Sequence, residues 1–185
     1  MVNMKKHIIL ISVLFLIQCI LVTLIKGFSI PLLVLFSLLL VFTYISLEDW
    51  KTGEISVRLN VTVFILATIY AIFNGFGIKT IVFNLLVFVL PFILIELIFQ
   101  LFINRGKDEE RFLIGGGDII LFASMSMILS TANMMVMLFF ACLFSLIASK
   151  VINKTMVHFA PFIQIGLLIA FLFGEKIMSL FRIGI

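Results

Sequence analysis

The chain has 185 residues, of which 64% are hydrophobic and 12% charged. Soluble domains run at roughly 45–50% apolar and about 25% charged, so water is not the main solvent of this chain. The formal charge of +4 does not point to nucleic acid, because the basic residues are scattered at the ends of apolar runs, where membrane topology places them.

A helix needs about 20 apolar residues to cross a hydrocarbon core of ~30 Å. That rule predicts seven spans, at about 7–25, 28–47, 55–73, 80–103, 117–130, 133–149 and 158–174. The expected fold is therefore all-α, a polytopic membrane bundle of about six or seven transmembrane helices in a single domain over residues 1–185. The first run follows Lys5 and Lys6 but is longer than a signal-peptide core and has no small-x-small cleavage site after it, so it is expected to stay as a helix. The fourth contains Pro91, which removes a backbone donor and predicts a kink. The fifth is short and opens in a glycine run, which predicts a tilted helix or one that begins buried against its neighbours. Cys19 and Cys142 stand singly in apolar runs with no metal-ligand spacing, and no metal or cofactor is expected.

Sorting the thirteen Lys and Arg residues by alternate loops sets the orientation. With the N-terminus inside, Lys5, Lys6, Lys51, Arg58, Arg105, Lys107, Arg111, Lys150 and Lys154 fall on the cytoplasmic side, and Lys26, Lys79, Lys176 and Arg182 on the other. Nine against four favours a cytoplasmic N-terminus. It also brings the 48–54 and 104–117 segments to one face.

Acidic residues are costly in or near lipid, and each one near a span needs a reason. Glu48 and Asp49 end the second span, Glu54 precedes the third, Glu96 lies inside the fourth, and Asp118 opens the fifth after Gly115, Gly116 and Gly117. Taken singly, Asp118 reads as a helix cap after a flexible loop, where N–H groups and the helix dipole favour a carboxylate. Asp49 alone is a commonplace interfacial charge. Asp108, Glu109 and Glu110 stand among Arg105, Lys107 and Arg111 and read as a solvated mixed-charge segment. His158, beside the start of the last span, reads as interfacial.

The surrounding residues change the weight of the two aspartates. Asp49-Trp-Lys-Thr-Gly-Glu-Ile55 resembles the first aspartate motif of the type IV prepilin peptidases, an Asp followed six residues later by Ile and usually Pro. Gly115-Gly-Gly-Asp118-Ile-Ile-Leu121 is similar to their second motif, GxGD followed by x-Lys-Leu, and Phe159-Ala-Pro161-Phe-Ile-Gln-Ile-Gly166 is similar to a Pro-Phe-Gly-Pro…Gly segment near the end of their catalytic domain. Ser56 stands where the family usually has Pro, and Ile120 where it usually has Lys. The three features keep the family's order and approximate spacing.

The resemblance implies a membrane aspartyl endopeptidase that removes the short basic leader of prepilin-like precursors at the cytoplasmic membrane face, with Asp49 and Asp118 as the catalytic pair. Glu48, Glu54, Glu96 and Gly115 to Gly117 are then candidates for substrate contact. The cysteine-rich segment and methyltransferase region of long members have no counterpart in these 185 residues, so a peptidase-only form is implied. The expected partners are prepilin-like precursors and membrane lipid, not nucleic acid; the sequence leaves the oligomeric state open. Two other readings remain at this point: a small transporter whose acids, Glu96 among them, line an ion path, and a catalytically inactive accessory protein with the same fold.

Overall fold

The computed structural model describes residues 2–53, 55–102, 115–152 and 158–182. Among these residues there are seven helices and no strand: α1 (Val2–Lys26), α2 (Ile30–Thr52), α3 (Val57–Phe73), α4 (Ile78–Phe102), α5 (Gly116–Ile128), α6 (Thr131–Ile152) and α7 (Ala160–Arg182). Each coincides with one predicted apolar run. Among the described residues, α2, α4, α6 and α7 are long and apolar enough to cross a membrane, and α3 and α5 are shorter apolar helices. Large side chains such as Phe83, Leu86, Leu97 and Leu101 on α4 and Phe139 and Leu146 on α6 are exposed. Such a surface is stable against lipid, and the molecule is a helical membrane bundle.

Helix α2 lies at the centre and packs against α1, α3 and α7, while α5 packs on α3 and α6 on α7. Leu38, Leu39, Phe42 and Ile45 of α2 are fully buried, as are Leu121 and Met125 of α5 and Met134 and Met137 of α6. With 13 residues, α5 spans only about 20 Å at ~1.5 Å per residue. It buries Leu121, Phe122, Ser124, Met125, Ser126 and Ile128, but Gly115 and Gly116 at its start are exposed, so the helix goes into the protein from an open end instead of beginning buried.

Two boundaries and one internal irregularity differ from the sequence expectation, each for a local reason. The second span was expected at about 28–47 with Glu48 and Asp49 at its end, and α2 continues to Thr52 and ends at Gly53. Charge ends an apolar stripe without ending a helix. What ends it is Gly53 in the left-handed region at φ 72°, whose N–H bonds the Asp49 carbonyl at 2.8 Å, a conformation glycine adopts without steric cost. The last helix runs on past residue 174 to Arg182, because Gly174 is a packing residue: a Cβ there would overlap the side chain of Asn133 on α6. The irregularity expected at Pro91 lies one turn earlier, as a π turn over Leu85–Val89 closed by the Leu90 N–H on the Leu85 carbonyl. A proline that cannot donate and crowds the carbonyl four residues back is accommodated by such a widened turn.

Two polar contacts fix the helices that matter for the site. At one end, the fully buried Asn84 of α4 donates to the carbonyls of Ser126 (3.2 Å) and Leu129 (2.9 Å) and accepts from the Thr131 hydroxyl (2.8 Å). This clamps the turn between α5 and α6. Nearer the other end, Gln164 of α7 donates to the Thr43 hydroxyl of α2 at 2.6 Å, and Gln18 of α1 lies 3.3 Å from the same hydroxyl. In a low-dielectric interior such bonds set register, because breaking one leaves a buried polar group unpaired.

Candidate active site

The ends of four helices meet around Asp49. Its position in the last turn of α2 follows from the helix continuing to Gly53, which turns the side chain inward; Asp49 is 5% exposed, while Trp50, the next residue, faces out. Oδ2 of Asp49 accepts the backbone N–H of Ala160 at 3.1 Å, and Oδ1 lies 3.6 Å from Nδ1 of His158. Because α7 begins at Ala160, this carboxylate sits against the N-terminus of a helix whose first N–H groups have no partner within it.

Asp118 stands in the first turn of α5. Its N–H bonds back to the Gly115 carbonyl at 3.0 Å, and a Cβ on Gly115 would come 3.4 Å from its Oδ2. Oδ1 is buried with no hydrogen-bond partner among the described residues. The two aspartates, distant in sequence, lie close enough for the charge of Asp49 to act on Asp118. The described ends that carry the two aspartates, at Asp49 and at Gly115 to Asp118, therefore come together in the fold; Glu54 and residues 104–114 lie outside the described residues.

Gly117, just before Asp118, is needed for close approach. A Cβ there would stand 3.0 Å from Cβ of Ile55 and 3.1 Å from Nδ2 of Asn60. Asn60, in the first turn of α3 and 0% exposed, donates Nδ2–H to the Gly117 carbonyl at 3.2 Å. Its Oδ1 is buried and has no hydrogen-bond partner among the described residues. Gly116 has open space around it.

The remaining sequence candidates divide. Glu48 is half-buried beside Asp49, with Oε2 buried and unpaired among the described residues. Glu54 lies outside the described residues. Glu96 accepts a hydrogen bond from Gln100 on its own helix at 2.7 Å, a contact that ties it to α4. Ser56 caps α3 at φ −61° and ψ 125°, the backbone geometry that proline would impose, so the departure from Pro leaves the chain path intact.

Two neighbours of the aspartates were not among the site candidates read from the sequence. His158 read as interfacial, yet it faces Asp49, and its ring also lies against Trp50 with centroids 6.2 Å apart. Asn60 is a lone amide in an apolar helix, and that isolation was the available signal. The third sequence feature gains a structural role: Ala160 supplies the N–H to Asp49, and Gly166 lets α6 and α7 touch, since a Cβ there would overlap the Met137 carbonyl.

A helical membrane bundle that gathers a buried and a half-buried carboxylate at the ends of its helices defines the class of protein to which this chain belongs. Comparison with known families then gives the particular one: the model of the type IV leader peptidase family matches residues 33–149, more than half of the chain, and the chain belongs to that family. The matched stretch runs from α2 into α6 and contains both aspartates, whereas His158 and Ala160 lie beyond it. No curated protein and no solved structure matches the chain.

Proposed function

We propose that the chain, as one membrane domain over residues 1–185, is an aspartic endopeptidase that removes the short basic leader of prepilin-like precursors at the cytoplasmic membrane face. The observation that carries this reading is the meeting of Asp49 and Asp118 at one buried place in a chain of the leader peptidase family. The nine-to-four distribution of Lys and Arg supports the orientation. The chain crosses the membrane several times in this reading, with the pair toward the cytoplasm.

Two carboxylates in one site do not ionise independently, since charge on one opposes charge on the other; the working form holds one proton between them. The ionised carboxylate takes a proton from water as the water oxygen bonds to the scissile carbon. The protonated carboxylate gives its proton to the carbonyl oxygen, forming a tetrahedral diol. On collapse, the first proton passes to the departing nitrogen, the C–N bond breaks, and a diol hydroxyl returns the second. Water and one peptide bond are consumed, and both carboxyl groups recover their starting states.

Glu48, Glu54 and Glu96 are the acidic groups offered to a basic leader, and of the three glycines Gly116 leaves room for its backbone, whereas Gly117 is closed off by Ile55 and Asn60. Glu48 is the best supported of the three acids, because its buried Oε2 has no protein partner among the described residues. The test is co-expression with a prepilin-like precursor, with expression levels matched and leader loss read by gel mobility and the mass of the new N-terminus. The wild type removes the leader, and Asp49→Asn and Asp118→Asn each leave the precursor intact. Cleavage by either variant would remove that aspartate from the mechanism.

A further inference from the structure

The two aspartates have unequal surroundings, and the difference comes from α7. Both oxygens of Asp49 face nitrogens: Oδ2 accepts the Ala160 N–H at 3.1 Å, and Oδ1 lies 3.6 Å from His158 Nδ1, an ion-pair contact when the imidazole carries both its protons. Asp118 has a buried Oδ1 with no hydrogen-bond partner among the described residues. Donors aimed at a carboxylate favour its ionised form, while a buried oxygen without a donor favours the form that carries its own proton.

His158 is held where it can do this. Gly53 approaches the ring so closely that a Cβ on it would stand 3.2 Å from Cε1, and Trp50 borders the ring at a 58° tilt. Both belong to the end of α2 that carries Asp49, so the ring and the carboxylate share one support. The side chain of His158 is 39% exposed against 8% for Asp49, so the imidazole has one face at the surface and the other against a buried acid. The charged group it faces is Asp49 of α2, whose own charge acts on Asp118 of α5.

We propose that His158 is a positioning residue for Asp49: with the Ala160 N–H it orients the Asp49 carboxylate as the water-activating base and leaves Asp118 as the proton-bearing partner. The assignment rests on the aspartyl-pair reading and adds to it which acid does which task. His158 forms no bond to substrate. It acts by fixing Asp49 and, when protonated, by placing a positive charge beside it.

The experiment uses the purified full-length protein in detergent and a prepilin-like precursor that the wild type cleaves, with kcat and KM measured against pH. His158→Ala lowers kcat about tenfold with little change in KM, the scale of effect that a misplaced catalytic group produces. Its acid limb moves up by about one pH unit, because the loss of a nearby cation makes Asp49 easier to protonate. His158→Asn keeps a donor near Oδ1 without a charge, so it recovers most of the neutral-pH kcat while its acid limb stays shifted. A wild-type kcat and acid limb in His158→Ala would overturn the assignment, as would equal losses in both variants with the acid limb unmoved, which is the signature of packing alone. Asp49→Asn and Asp118→Asn run in parallel separate the two failures. If both are inactive and His158→Ala behaves as wild type, only the role of His158 falls; if either still cleaves, the aspartyl-pair reading falls with it.

Discussion

Asn60 and Asn84 are both fully buried amides on helices that pack against α5, and they differ in how completely they are bonded. Asn84, at the α5–α6 turn, uses both ends of its amide on three partners. Asn60, at the aspartate end, uses only its N–H, on Gly117, and keeps an unpaired Oδ1. The same contrast holds around them: Ser46, Glu48, Asn60 and Asp118 supply the buried unpaired side-chain oxygens found among the described residues. All four belong to the segments that meet at the aspartate end of the bundle. A fully paired buried polar group serves the fold, whereas unpaired acceptors gathered at one place are a cost that a binding or catalytic role explains.

Substitutions at the two asparagines sharpen this contrast. Asn84→Ala, which removes three hydrogen bonds and leaves their partners buried, lowers stability by about 3 kcal/mol; thermal unfolding in detergent reads this, and cleavage per folded molecule stays at the wild-type level. Asn60→Ala costs only about 1 kcal/mol, for one lost bond, yet lowers kcat about tenfold because the Gly117 carbonyl and Asp118 lose their brace. Equal stability losses with unchanged kcat would erase the difference between the two ends. The smallest effect is expected at Ser56→Pro. The backbone already has proline geometry, so stability rises by about 0.5 kcal/mol through a less flexible unfolded chain, and leader cleavage is unchanged. A loss of stability there would show that the Ser56 N–H or the path of Ile55 matters more than φ and ψ indicate.

Much of the architecture was legible in the sequence because lipid imposes a simple rule: every backbone group must bond internally, so apolar runs become helices. The seven runs and the placement of both aspartate segments on one face follow from hydropathy and basic residues. Helix ends were less legible. Hydropathy stops at Glu48 and near Gly174, but the backbone stops where a left-handed glycine or a lost partner stops it, at Gly53 for α2. The surroundings of Asp49 were the least legible part. Ala160 is 111 positions away in the chain, and no periodicity within either segment encodes that contact. His158 looked interfacial for a sound reason, its partial exposure; its second face, against Asp49, belongs to the tertiary fold alone. Asn60 shows the same limit, since an amide in an apolar helix can be a clamp, as Asn84 is, or a brace for a reacting group.

The central claim is that Asp49 and Asp118 act as one unit. Residues that share a task are non-additive: removing one costs nearly as much as removing both. The most direct test is therefore the rate of leader removal by purified Asp49→Asn, Asp118→Asn and the double variant, with folding checked by thermal unfolding. The account predicts that each single variant falls to the floor set by the double. Partial activity in either single variant, with the two losses adding up in the double, would contradict it.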